Sequence, residues 1–96
     1  MTRVLVACGT GLATAAVIAQ AVTRALRERG VDVETDLCAV SEVAEKAPGH
    51  ALVVSTTPIA ESGGVPVVHT LAFLTGVDVE GVVNRMMSVL QGGAAG

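Results

Sequence analysis

A chain of 96 residues is long enough for one hydrophobic core and too short for two. Its net charge of −3 and its single aromatic residue, Phe73, exclude the basic footprint and the stacking platform by which proteins hold nucleic acids. Two cysteines do not make a disulfide scaffold, and they point to a reducing, cytoplasmic setting.

In chain order, residues 3–7, RVLVA, predict a short buried strand that ends at a glycine turn. Residues 11–29 predict a helix, with Leu12, Ala15, Ala16, Ala19, Val22 and Leu26 on one apolar face and Gly30 as its stop. Its last turns, RALRER, are basic and suit the negative helix end. The stretch Val4 to Thr23 carries no charge, but Gly9, Thr10, Gly11, Thr14 and Gln20 interrupt it too often for a membrane span. Only four apolar residues separate Arg3 from Cys8, whereas a signal peptide needs roughly 7–15, so a lipid-anchored cysteine is not expected.

Residues 31–37 alternate, with Val31, Val33, Thr35 and Leu37 on one side and Asp32, Glu34 and Asp36 on a solvated one, as in an edge strand. Residues 41–47 predict a short helix with Ser41 as its N-cap. Residues 50–56 are continuously apolar in the middle, as in a central parallel strand. Residues 65–70 form a fourth strand, which Pro66 confines to an edge or to its own first position. Residues 78–91 predict a final helix capped by Asp78, with Val79, Val82, Val83, Met86, Met87 and Leu90 inward; Gly81 costs it about 1 kcal/mol against Ala. Residues 1–91 then make a single domain and 92–96 a flexible tail.

Strands separated by helical crossovers imply an α/β fold: a parallel four-stranded sheet with helices on both faces, three-layered and Rossmann-like. Two edge-like strands and a central third one are satisfied together by the order 2-1-3-4. Ligands of such sheets bind beyond the carboxyl ends of the strands, where the order reverses between the first and third. Cys8 sits at that place, and the loop Ser55-Thr56-Thr57-Pro58 would flank it.

The segment CGTGLAT, Cys8 to Thr14, joins the strand to a helix start. Gly9 and Gly11 let the backbone approach a ligand closely. The amides of Gly9, Thr10, Gly11, Leu12, Ala13 and Thr14 converge on an anion in this reading, and the helix dipole favours negative charge there. The same field favours a Cys8 thiolate, since helix N-termini bring cysteine to roughly 3.5–7.5 from an ordinary value of about 8.5. A thiolate in an anion cradle is a nucleophile aimed at phosphorus.

Neighbouring motifs fail on particular residues. A Walker loop needs a lysine that is absent here. A dinucleotide fingerprint needs a third small residue where Thr14 stands. Cys8, Cys38, His50 and His69 stand at scattered spacings that match no metal-ligand pattern, so neither metal nor cofactor is expected. Thiol phosphatases place an Arg six positions after the cysteine to clamp the phosphoryl oxygens. Here that position is Thr14, which favours holding a phosphoryl group over hydrolysing it. A phosphoryl carrier is therefore preferred. A low-molecular-weight thiol phosphatase-like hydrolase and a non-catalytic anion-binding module are the alternatives.

The loop VLVACGTGLATA resembles the phosphocysteine loop of IIB components of the bacterial sugar phosphotransferase system (PTS), and most of all the galactitol-type branch. Ala15 departs from the pattern, standing where many relatives carry Ser or Thr and removing one hydroxyl near the loop. The resemblance implies a cytoplasmic phosphotransferase that associates peripherally with a membrane IIC permease. A phosphohistidine on a IIA partner would give its phosphoryl group to Cys8, and the phosphocysteine would pass it to a sugar or polyol carried by IIC.

The remaining polar residues read more plainly. Cys38 is expected just after the second strand, at the same sheet edge as Cys8, as a mildly buried neutral thiol, with a disulfide to Cys8 under oxidation as the alternative. His69 ends the fourth strand at the functional edge, and His50 lies at the opposite edge as a bystander. Met86 and Met87 fill the core, and Arg24, Arg27 and Arg29 lie too far down the first helix to hold phosphate.

Overall fold

The computed structural model describes residues 2–9, 12–59 and 63–92. Four strands form one parallel sheet: β1 (Thr2–Cys8), β2 (Val33–Ala39), β3 (Leu52–Ser55) and β4 (Val67–His69), in the order β2-β1-β3-β4. The helices are α1 (Leu12–Glu28), α2 (Val43–Lys46), α3 (Ala72–Thr75) and α4 (Val79–Gly92). The predicted order and strand direction are observed. Of the tail expected at residues 92–96, Gly92 belongs to α4, and 93–96 lie outside the described residues.

Period-two alternation in β1 supplies both cores. Val4, Val6 and Cys8 point to the side covered by α1 and α4, where Ala15, Ile18, Val22, Leu26, Val82, Val83 and Met86 pack with Leu52, Val54 and Val68. Leu5 and Ala7 point to the other side, against Cys38, Val43, Ala47 and Val53. Helix α2 is only four residues long and covers little of that face. The rest is covered by Val40, Ile59, Val65 and Val67. Connections that reverse direction across the sheet must also change face to keep one hand, which is why α1 and α2 lie on opposite sides.

Three local expectations change. Strand β2 runs to Ala39, so Cys38 lies within it, opposite Ala7 in the ladder, rather than after it. Ser41 caps nothing: it lies inside a 3-10 turn, Val40–Glu42, and Glu42 accepts a hydrogen bond from the Ala39 amide at 3.0 Å. Helix α3 was not expected, because a single turn shows no periodicity; the Thr70 hydroxyl accepts from the Ala72 amide at 3.0 Å, and Gly76 ends the turn at φ 76°. Asp78 precedes α4 at φ 59°, a conformation that Asp tolerates better than most residues, and its carboxylate lies over Gly81.

Asp36 also leaves the solvated role assigned to it. Its Oδ2 accepts from Arg3 at 2.7 Å and pairs with Nε2 of His50 at 2.8 Å. His50 is therefore no bystander. Its side chain is 7% exposed, and it ties the start of β3 to β2 across β1.

Candidate functional site

Strand β1 ends at Cys8, which pairs with Ala39 of β2 and is 2% exposed. The chain leaves the sheet at the exposed Gly9 and enters α1 at Leu12. Helix α1 therefore starts beside Cys8, with Ala13 exposed and Thr14 half-buried in its first turn. Thr10 and Gly11, and the side chain of Leu12, fall outside the described residues. Ala15 is fully buried in the core beneath α1, so a hydroxyl there would face packed aliphatic groups rather than the loop.

The neighbouring strand closes the other side. The Thr56 hydroxyl donates to Cys8 Sγ at 3.5 Å. Its loop is pinned from beneath by Ser55, fully buried, whose hydroxyl donates to the Thr57 carbonyl at 2.6 Å and accepts from the Thr57 amide at 3.1 Å. From β4, His69 Nε2 lies 3.2 Å from the Thr56 carbonyl oxygen. A carbonyl only accepts, so this nitrogen carries the proton. Gly9 meets the same loop: a Cβ there would stand 3.4 Å from Thr57 Oγ1 and 3.8 Å from Val40 Cγ2. The sequence had placed the STTP loop near Cys8, but it gave Thr56 no role. The signal was a run of hydroxyls at the carboxyl end of the strand next to the cysteine.

Charge and chemistry separate the two thiols. Burial, followed by the Glu42 carboxylate, pushes the Cys38 thiol up and keeps it protonated. Cys38 also faces the α2 side of the sheet, whereas Cys8 packs on the α1 side. Arginine is engaged elsewhere: Arg3 with Asp36, and Arg29 with Asn84 at 2.7 Å. Arg24 and Arg27 line a groove of about 630 Å³ along the distal half of α1, away from Cys8. No cysteine or histidine lines that groove. Among the described residues no three of His, Cys, Asp and Glu come together as a metal-ligand set, and no helix is long and apolar enough to cross a membrane.

Comparison with known proteins gives one consistent set of matches. The family model described as "PTS system, Lactose/Cellobiose specific IIB subunit" matches residues 3–85. The galactitol-specific EIIB component of the PTS from Escherichia coli K12 is 30% identical over 91 residues, which covers 94% of this chain and 97% of that one. Its counterpart from Shigella flexneri is 31% identical over the same shares. The lactose-specific IIB component domain from Streptococcus pneumoniae superposes with a TM-score of 0.52 at 16% identity, over 94% of this chain and 91% of that one, a likeness of fold alone.

Proposed function

The chain belongs to the IIB family of the sugar phosphotransferase system and is a phosphoryl-transferring subunit, and on that premise we propose that Cys8 is the residue that carries the phosphoryl group. The observation that carries this reading is the placing of one thiol at the end of a parallel strand, beside a helix start and under a hydroxyl donor, while the other thiol lies on the opposite face of the sheet and is held protonated. Phosphoryl transfer needs in-line geometry and donors for the equatorial oxygens more than it needs a strong base. The loop amides of Gly9 to Thr14 are the proposed donors.

Loading is a displacement at phosphorus. The Cys8 thiolate attacks a phosphohistidine of a IIA partner, the S–P bond forms and the P–N bond breaks. Nitrogen keeps the electron pair, leaving as neutral imidazole when its other ring nitrogen carries a proton. Unloading reverses the role of sulfur. A hydroxyl of the substrate held by a membrane IIC partner forms the O–P bond, its proton passes to water, and sulfur leaves as thiolate. A galactitol-like polyol is the proposed substrate, supported by the names of relatives 30–31% identical over nearly the whole chain. The lactose likeness is one of fold and does not bear on substrate. We assign the single domain to residues 1–91 and the working place to the cytoplasmic side of the membrane, beside IIC. Hydrolysis is the weaker reading, because Thr14 occupies the position of the phosphatase arginine.

The test is intact mass after incubation with phosphorylated IIA. The wild type and Cys38→Ser should gain about 80 Da, and Cys8→Ser should gain nothing. Release of free phosphate with no adduct on the protein would overturn the carrier.

A further inference from the structure

We propose that Thr56 holds the Cys8 sulfur as a thiolate through its O–H···S hydrogen bond, and that His69 is a positioning residue that keeps Thr56 in place. The proposal rests on the reading of Cys8 as the reacting atom, and it adds a second wall to a site so far built from one loop. The hydroxyl stands 3.5 Å from the sulfur. It belongs to a loop that three independent bonds immobilise: the two between Ser55 and Thr57, and the one from His69 to the Thr56 carbonyl. A fourth, from the Thr70 amide to the Ser55 carbonyl at 2.9 Å, continues the β3–β4 ladder up to the loop. Such bracing is what a donor needs if its geometry is to survive both half-reactions.

Sulfur bears negative charge twice in the cycle, before it attacks and after it leaves. A donor fixed at the sulfur stabilises both states. When sulfur is bonded to phosphorus it carries no such charge, and the hydroxyl can turn to a phosphoryl oxygen. The same side chain thus serves the thiolate and the adduct without backbone movement.

Among the described residues, the titratable groups bonded to residues beside Cys8 are Glu42, through the amide of the ladder partner Ala39, and His69, through the Thr56 carbonyl. Helix α1 carries no charge before Arg24. Both titratable groups stay unchanged in Thr56 variants, so a moved titration midpoint reports the hydroxyl.

The experiment is the pH dependence of Cys8 alkylation by iodoacetamide in a Cys38→Ser background, followed by the rate of loading from phosphorylated IIA. Thr56→Val should raise the alkylation midpoint by about one pH unit, roughly tenfold in thiolate fraction at a pH below the wild-type midpoint, and slow loading by about the same factor at that pH. Thr56→Ser should restore both. His69→Ala should move the midpoint in the same direction by less, and His69→Gln, which keeps an N–H donor, should recover it. His69 is exposed, so its variants keep the proposal testable if Thr56→Val fails to fold. A Thr56→Val protein with the wild-type midpoint and loading rate overturns the proposal. Alkylation needs no phosphoryl donor, so a wild type that gains no adduct overturns the carrier reading, and the midpoint still decides the role of Thr56.

Discussion

Asp36 places two bonds on a single oxygen, and its titration follows from them. The hydrogen bond with His50, then that with Arg3, holds its carboxyl below the usual carboxylate range. In the folded chain Asp36 therefore stays charged at a pH where the unfolded chain is already protonated. Its contribution to stability is whole above about pH 4 and is lost as pH falls through the lower folded value. Asp36 is 38% exposed, so solvent screens the cluster. Asp36→Asn should cost no more than about 1 kcal/mol at neutral pH, a melting point lower by about 4–8 °C. The gap between variant and wild type should narrow in thermal melts taken at successively lower pH. A gap independent of pH would show that the ion pairs do not carry it. The sequence marked Asp36 as one of three acids on a wet strand face. That alternation was right, but nothing local to residues 32–36 tells that Arg3 and His50, distant along the chain, arrive beside it.

At the scale of elements, helix α4 tempers a propensity argument. By intrinsic preference Gly81 weakens the helix by about 1 kcal/mol against Ala. In the fold, a Cβ at Gly81 would stand 2.5 Å from Asp78 Oδ1, so the missing methyl is the space in which the carboxylate lies. That oxygen is the end of a short side chain that can turn aside, so Gly81→Ala should stabilise the wild type by less than about 1 kcal/mol. In an Asp78→Gly background, where the carboxylate is gone and φ 59° is unstrained, the same change should stabilise by about 1 kcal/mol. Denaturant titrations of the four proteins of this cycle measure the coupling; additivity would refute the contact. Long elements were legible because their patterns are redundant: α1 repeats its apolar face over 17 residues and β1 ends on a glycine turn. Short ones were not. Helix α3 and the 3-10 turn are one turn each, and their caps depend on neighbours rather than on a period.

For the whole molecule, the topology was readable because the two edge strands each carry their own mark, acids in β2 and proline before β4, while β3 is apolar up to Ser55. The face that each cysteine occupies was not readable, since it turns on one residue of strand length. With β2 ending at Ala39, Cys38 falls opposite Ala7 and shares its side of the sheet, while Cys8 shares the side of Val4 and Val6. A disulfide between them would have to pass through the sheet. Mild oxidation of the native protein should therefore give no intrachain species lighter by about 2 Da, while the same treatment in denaturant should give it. Such a species formed under native conditions would contradict the assigned register.

In the proposed cycle, the recess of Cys8 imposes an order of traffic. Its side chain is turned into the core on the α1 side, and the residue is 2% exposed. In an in-line displacement the entering and departing atoms lie on opposite sides of phosphorus. With sulfur always on the inner side, the donor nitrogen and the acceptor oxygen must both come from the outer side, through one berth. Donor and acceptor proteins therefore compete for a single face and take turns on it. The double-displacement character of the exchange then follows from which way one strand-end side chain points.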